Sequence, residues 1–203
     1  MARKKFLCLA VAFCLCVASR PAAASLINPV SVTGSGSFNN SVGLLHDGFI
    51  PAEMTAWNTA PNVWWTGQTG PSGVVFEFDL GAEHVIDDLT ISADLNDTYQ
   101  FDYSLDGVNW TSLVTVDASF GDVPAFGMDT MTSIAGDAEY VAGMDFASVN
   151  ARFLRGYGVS GDNLFSLGEV QAFGSAVAAV PEPSSLAVFG LMSVGLVVRR
   201  RRV

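Results

Sequence analysis

The chain predicts an all-β fold, an antiparallel β-sandwich, and three observations carry that prediction. Over residues 99–106, Tyr99, Phe101, Tyr103 and Leu105 alternate with Gln100, Asp102, Ser104 and Asp106. This is the period-2 signature of a strand with one buried and one wet face. Runs of the same kind recur between turn signals, and no long stretch of the body has helical apolar spacing. All three cysteines, Cys8, Cys14 and Cys16, sit in residues 1–24, a basic, then apolar, then small-residue segment of the kind cleaved on export. The mature chain therefore depends on core packing, with a metal as the other available brace, and not on disulfides.

Taken in order, residues 25–43 are rich in Ser, Asn and Gly with scattered Leu26, Ile27, Val30 and Val32, and read as an extended opening strand and loop. Residues 42–73 carry Trp57, Trp64 and Trp65 among Gly67, Gly70, Pro71 and Gly73, too irregular for a helix. Residues 73–81 form a strand with Val74, Phe76, Phe78 and Leu80 on one face. Residues 85–93 form another, with Leu89 and Ile91 inward and Asp88 and Thr90 outward. The polar loop 94–98 leads into a hairpin whose Asp106-Gly107 pair suits a tight turn. With a two-residue loop, Leu105 faces Val108 and Tyr103 faces Trp110, placing Phe101, Tyr103 and Trp110 in the core. A one-residue bulge would shift that register, and both alternatives stay open. Residues 117–136 read as a long loop and the expected place for mobility. The last two strands are 151–158 and 164–174, parted by Ser160-Gly161-Asp162-Asn163.

The two ends stand apart from this body. Residues 1–24 run from Arg3, Lys4 and Lys5 through an apolar stretch to Ala22-Ala23-Ala24, the order of a secretory signal peptide cleaved after Ala24. The alternative, a membrane anchor, is short for a span. Residues 25–174 are the sandwich and 175–180 a small-residue linker. Residues 181–203 open on Pro181-Glu182-Pro183, continue as a short apolar helix over 186–198 and end in Arg199 to Arg202. Thirteen residues of helix cover about 20 Å, less than the roughly 30 Å hydrocarbon core. A transient membrane tether with its arginines on the cytoplasmic side fits that length.

Charge narrows the function classes. Of the ten basic residues only Arg152 and Arg155 lie in the body, while every acid but Glu182 of the twenty lies between Ser25 and Pro181. Such a surface repels phosphate backbones and excludes nucleic acid as a partner. It suits divalent cations, neutral glycans or basic partners, or simply keeps an exported protein soluble. Arg152 and Arg155 are expected to pair with neighbouring carboxylates. His46 and His84 are the only histidines, with no His-Glu-x-x-His zinc motif or Gly-x-Ser-x-Gly elbow beside them. The acid pairs Asp87-Asp88 and Asp102 with Asp106 read as strand faces and turns and not as a glycosidase couple. The chain is therefore expected to be non-catalytic, with a secreted glycosidase the remote alternative.

Two resemblances add to this reading. Val-Pro-Glu-Pro-Ser-Ser at 180–185, the apolar helix and the arginine cluster resemble the PEP-CTERM sorting signal of Gram-negative bacteria. This implies processing near Pro181, Glu182 and Pro183 by an exosortase after signal peptidase has acted at Ala24. In the body, Asp47-Gly48, Trp57, residues 78–81, 103–110, 151–155 and 166–174 occur in the order seen in discoidin or coagulation-factor-5/8 C-type domains. The resemblance implies a galactose-binding-like jelly roll over nearly all of the mature body. The chain departs from that pattern after Asp47-Gly48, where Phe49-Ile50-Pro51 intervenes.

The second resemblance also implies one structural calcium ion between the Asp-Gly loop and the last strand, held by the side chains of Asp47 and Glu169 with carbonyls from Leu44 and Phe49. The plainer alternative makes Asp47 a turn residue and Glu169 a solvated strand residue. A ligand rim is expected from Trp64 and Trp65 with Asp94, Asn96 and Asp97, an aromatic face beside amide and carboxylate partners of the kind that bind sugars. The alternative places one or more of the tryptophans in the core. Together these features predict an exported binding protein of the cell surface or extracellular matrix, held briefly at the inner membrane, whose partner is an exopolysaccharide or other glycan. A structural or adhesion protein acting through protein contacts is the competing reading.

Overall fold

A computed structural model describes residues 24–123 and 127–177. The signal segment before Ala24, the loop residues 124–126, the end of the linker and the whole tail with Pro181, Glu182 and Pro183 lie outside the described residues. Nine strands follow one another: β1 Ser25–Ile27, β2 Ser31–Ser35, β3 Val63–Thr66, β4 Val75–Asp94, β5 Thr98–Ser104, β6 Thr111–Val116, β7 Met128–Thr132, β8 Val149–Ser160 and β9 Leu164–Ala176. All their pairings are antiparallel. Among the described residues only two short 3-10 turns, Val42–Leu45 and Ala142–Met144, interrupt them. No helix among the described residues is long and apolar enough to cross a membrane.

The two strands expected at 73–81 and 85–93 are one twenty-residue strand, β4, that serves both layers. Its first part pairs with β2 and β8, and its second part pairs with β9 and β7. The register with β8 shifts between Asp79 and His84. Gly81 lies in that shift at φ +80°, a conformation side chains resist, and a Cβ there would also strike Val30. The hinge glycine read as a strand end thus turns one strand from one layer into the other. β5 and β6 extend the first layer beyond β8, while β1 and β3 pair with β9 in the second. Between the layers lie Trp65, Phe76, Phe78, Ile86, Leu89, Ile91, Tyr99, Phe101 and Phe165, all buried. Trp65 stacks on Phe165 at 5.5 Å and meets Phe76 and Tyr99 edge-on.

The fold decides the open hairpin register and corrects two expectations, the core position of Trp110 and the loop read over 117–136. The hairpin does not turn on two residues: Phe101 pairs with Val114 but Asp102 pairs with Ser112, a bulge that leaves Leu113 over, and the strands end at Ser104 and Thr111. The wider loop is closed by polar bonds. Asp106 Oδ1 accepts from the Val108 and Asn109 amides, and Ser104 Oγ accepts from the Asp106 and Gly107 amides. The Asn109 and Val108 amides, joined by the Asn109 side chain, hold the Asp106 carboxyl well below the usual carboxylate range. Leu105 and Val108 are exposed in consequence, and Trp110 leaves the core to lie 4.4 Å below the Arg155 guanidinium. Tyr103 is half-buried at the core's edge.

The second correction is β7, a strand inside the segment read as a loop. All five of its residues are buried, so it shows no alternation. One edge pairs with β4, and the chain before β3 reaches its start, where the Met54 amide donates to Met128 O and the Met128 amide to Thr55 O. The expected outward position of Thr90 is covered by this strand, where its hydroxyl meets Thr132 Oγ1 at 2.7 Å.

Ser25 pairs with Gly174, so the described chain enters and leaves at one pole of the sandwich. β9 carries on through Ser175 and Ala176, two residues into the expected linker. The turns 95–97 and 161–163 stand at the opposite pole, at the far ends of β4 and β9. That pole carries the polar loops among which a ligand site was expected.

Candidate functional site

Strand β3 decides which tryptophan is available. Its burial alternates, with Val63 and Trp65 inward and Trp64 and Thr66 outward. Trp65 is 0% exposed and belongs to the core, which corrects its expected place on the ligand rim. Trp64 is half-exposed, and Trp57 meets it edge-to-face with ring centroids 5.4 Å apart. The loop bearing Trp57 is fastened behind them: buried Asn62 donates from Nδ2 to Ala56 O, and Asn40 Nδ2 donates to Asn62 O at 2.7 Å. The pair makes a rigid, partly wet aromatic shelf, suited to the apolar face of a sugar ring. Trp57 was not among the expected rim residues. Its partnership with Trp64 comes from a loop whose irregular sequence has no period to reveal it.

The expected polar half of the rim is rearranged. Asp94 and Asp97 are each 2% exposed, so neither is a free hydrogen-bond partner for a glycan. Asn96 donates its amide to Asp162 Oδ2 at 2.9 Å, across to the β8–β9 turn. Burial pushes the Asp94 carboxyl up to about 6 and the Asp97 carboxyl up to about 7, with the mutual repulsion of Asp94, Asp97 and Asp162 adding to it. The turn wanted its short polar side chains for its own structure, so they point in.

The Asp47 loop and Glu169 do come together. The Gly48 amide donates to Glu169 Oε1 at 3.1 Å, while Asp47 Oδ1 accepts from the Phe49 amide at 2.9 Å. Glu169 is 2% exposed and its Oε2 has no hydrogen-bond partner among the described residues. Burial raises the Glu169 carboxyl, with the charge of Asp47 working in the same direction against the hydrogen bonds from Gln171 and Gly48. A buried carboxylate oxygen left without a donor is costly. A hard cation bound between Asp47 and Glu169 would satisfy it, so these residues fit a calcium ion. Leu44 lies in the 3-10 turn just before Asp47 and Phe49 just after it. The solvated-strand alternative for Glu169 is corrected by its burial.

A second acidic group lies outside the sequence-based expectations. Single carboxylate oxygens of Glu53, Asp122, Asp129 and Glu139 fall within 4.8 Å of one another. Asp129, buried, accepts from the Thr130 and Asp122 amides. Burial raises the Glu139 carboxyl, and Glu53, Asp122 and Asp129 raise it further.

Both body arginines are paired as expected. Arg152 makes two hydrogen bonds to Asp79, at 3.1 and 3.0 Å, on the surface. Arg155 meets Asp102 Oδ2 at 2.8 Å in a nearly buried pair.

Comparison with known proteins adds an address and a fold. No curated protein matches the chain in sequence. A fucose binding module of Streptococcus pneumoniae superposes with a TM-score of 0.52 at 14% identity, covering 75% of this chain and 96% of its own. A CBM32 module of AlyQ in complex with 4,5-unsaturated mannuronic acid gives 0.49 at 16% identity, covering 73% and 98%. A CBM32 module from Clostridium perfringens, in complex with GalNAc-beta-1,3-galactose, gives 0.46 at 17% identity, covering 74% and 100%. Residues 179–202 match the PEP-CTERM protein-sorting motif. The chain therefore joins an antiparallel β-sandwich, with the fold of that fucose binding module, to a PEP-CTERM sorting motif over residues 179–202.

Proposed function

We propose that this is an exported, non-catalytic protein that binds a carbohydrate, an exopolysaccharide of the cell surface or matrix. Signal peptidase frees it after Ala24, the tail tethers it briefly at the inner membrane, and an exosortase acts at Pro181-Glu182-Pro183. The observation that carries the reading is the half-exposed Trp57–Trp64 pair on a sandwich that shares its fold with a fucose binding module. Binding to purified exopolysaccharide, followed by tryptophan fluorescence, is expected to weaken about tenfold in Trp64→Ala, the scale of one aromatic contact. Undiminished binding in both Trp64→Ala and Trp57→Ala would refute this placement.

A second reading, adhesion through protein contacts, draws on the exposed Phe49, Ile50 and Met54 of the loop after Asp47. Self-association in sedimentation, without saturable glycan binding, would favour it.

In this reading one structural calcium ion joins Asp47 to Glu169, with the Leu44 and Phe49 carbonyls completing its oxygen shell. The ion would fasten the Asp-Gly loop to the last strand in a domain without cysteines. Saturating calcium is expected to raise the unfolding midpoint by about 5–10 °C over chelator, and Asp47→Ala to abolish the difference. A midpoint indifferent to chelator would overturn the assignment.

A further inference from the structure

The turn between β4 and β5 holds two carboxyls, Asp94 and Asp97, both 2% exposed and three residues apart. Each ties the turn to another part of the same pole. Asp94 Oδ1 accepts from the Gly127 amide at the start of β7, while Leu95 donates its amide to Gly127 O. Asp97 Oδ1 accepts from the Asp162 amide of the β8–β9 turn, and Gly161 approaches so closely that a Cβ there would fall on the same oxygen. Asp97 Oδ2 is buried without a hydrogen-bond partner among the described residues.

The groups facing this pair offer no positive charge. From the turn itself come the two carboxyls, from β5 the Tyr99 hydroxyl, and from the β8–β9 turn the carboxylate of Asp162. β7 presents the Gly127 amide, with the Asp129 carboxylate further along, where it and the Leu95 side chain both face Gly121. Arg152 and Arg155 are engaged with Asp79 and Asp102. Two buried carboxylates and a third beside them cannot all be ionised without strong mutual repulsion.

We propose that Asp94 and Asp97 form a proton-operated clasp: with a proton bound, the pair holds the 95–97 turn, the start of β7 and the 161–163 turn together, and loss of the proton loosens this pole. The folded-state carboxyls lie at about 6 and about 7 against an ordinary 3.8. Between those values the closed pole holds protons that the open one has released, so closure is favoured in mild acid and declines as pH rises through 6 and 7. The effect reaches the aromatic shelf because the Gly67 amide donates to Asn163 O and β3 pairs with β9 from Leu164 onward. Its meaning for ligand binding rests on the glycan reading above, but the opening itself is measured without glycan, so the two can fail separately.

Amide hydrogen exchange on the mature chain, in chelator, tests the clasp. Protection factors at Leu95, Asp97 and Asp162 are expected to fall about tenfold or more from pH 5.5 to pH 8, while those in the core strand β5 stay level. Asp97→Asn alone should leave only the part that falls as pH passes 6, and Asp94→Asn with Asp97→Asn should remove the pH dependence. Asp162→Asn, at an exposed position, should keep it and move its midpoint to lower pH. Carboxyl NMR titration provides a check that does not depend on the variants folding. Ordinary titration of both Asp94 and Asp97 near pH 4, or pH-independent protection at the three amides, overturns the proposal.

Discussion

Replacing Trp65 by alanine is expected to lower the unfolding free energy by about 3–5 kcal/mol, the range for deleting a large aromatic from a packed core. The side chain is completely buried and touches the rings of Phe76, Tyr99 and Phe165, which come from β4, β5 and β9. Its loss therefore empties the place where both layers meet, and no single neighbour can collapse into it. Urea unfolding of Trp65→Ala beside Trp64→Ala separates the two residues. The first should shift the midpoint strongly, and the second, half-exposed, should shift it little while weakening glycan binding. Equal stability losses in the two variants would contradict the inward and outward assignment of β3.

The second large effect is expected at Arg155. Its guanidinium pairs with Asp102 while stacking on Trp110 and lying near Tyr157, whose hydroxyl also donates to Asp102. The two side chains are 16% and 7% exposed. Arg155→Ala leaves the Asp102 charge buried without its cation, which costs about 3–5 kcal/mol. The double variant Arg155→Met with Asp102→Leu should recover most of that loss, because two apolar groups leave no charge behind. Arg152→Ala is the control: its pair with Asp79 is 44% and 23% exposed and is worth about 0–1 kcal/mol. Thermal unfolding of the set checks the order, and an Arg155→Ala variant no weaker than Arg152→Ala would overturn it.

The candidate site was only partly legible. Asp47 and Glu169 could be named because an acid beside a glycine and an acid within a strand resembled a known pattern at matching places. That the pair leaves Glu169 Oε2 buried and unpartnered is a fact of the fold. Trp64 and Trp65 looked equivalent as neighbours in an irregular stretch. Recognising 63–66 as a strand would have separated them, since period 2 sends one in and the other out. Asp94 and Asp97 looked like rim residues because polar turns are usually wet. Here the approach of β7 and the β8–β9 turn closes over them, contacts between residues more than thirty positions apart.

The sequence by itself determined what depends on neighbours along the chain. Alternation marked the strands of β4 and β5, the turn at 160–163 parted β8 from β9, and glycine and aspartate marked the turns. The order of segments in the tail marked a sorting motif, and the near absence of cations from the body argued against a nucleic-acid partner. Only the tertiary structure decided what depends on closure between distant segments. It joined two predicted strands through Gly81, found β7 in a segment with no alternation because all five of its residues are covered, and moved Trp110 from the core to the underside of Arg155. It also paired Trp57 with Trp64 and buried two carboxyls at the far pole. The physical reason is common to all of these: burial is a property of what packs over a residue, and period carries that information only where one face of a strand stays wet.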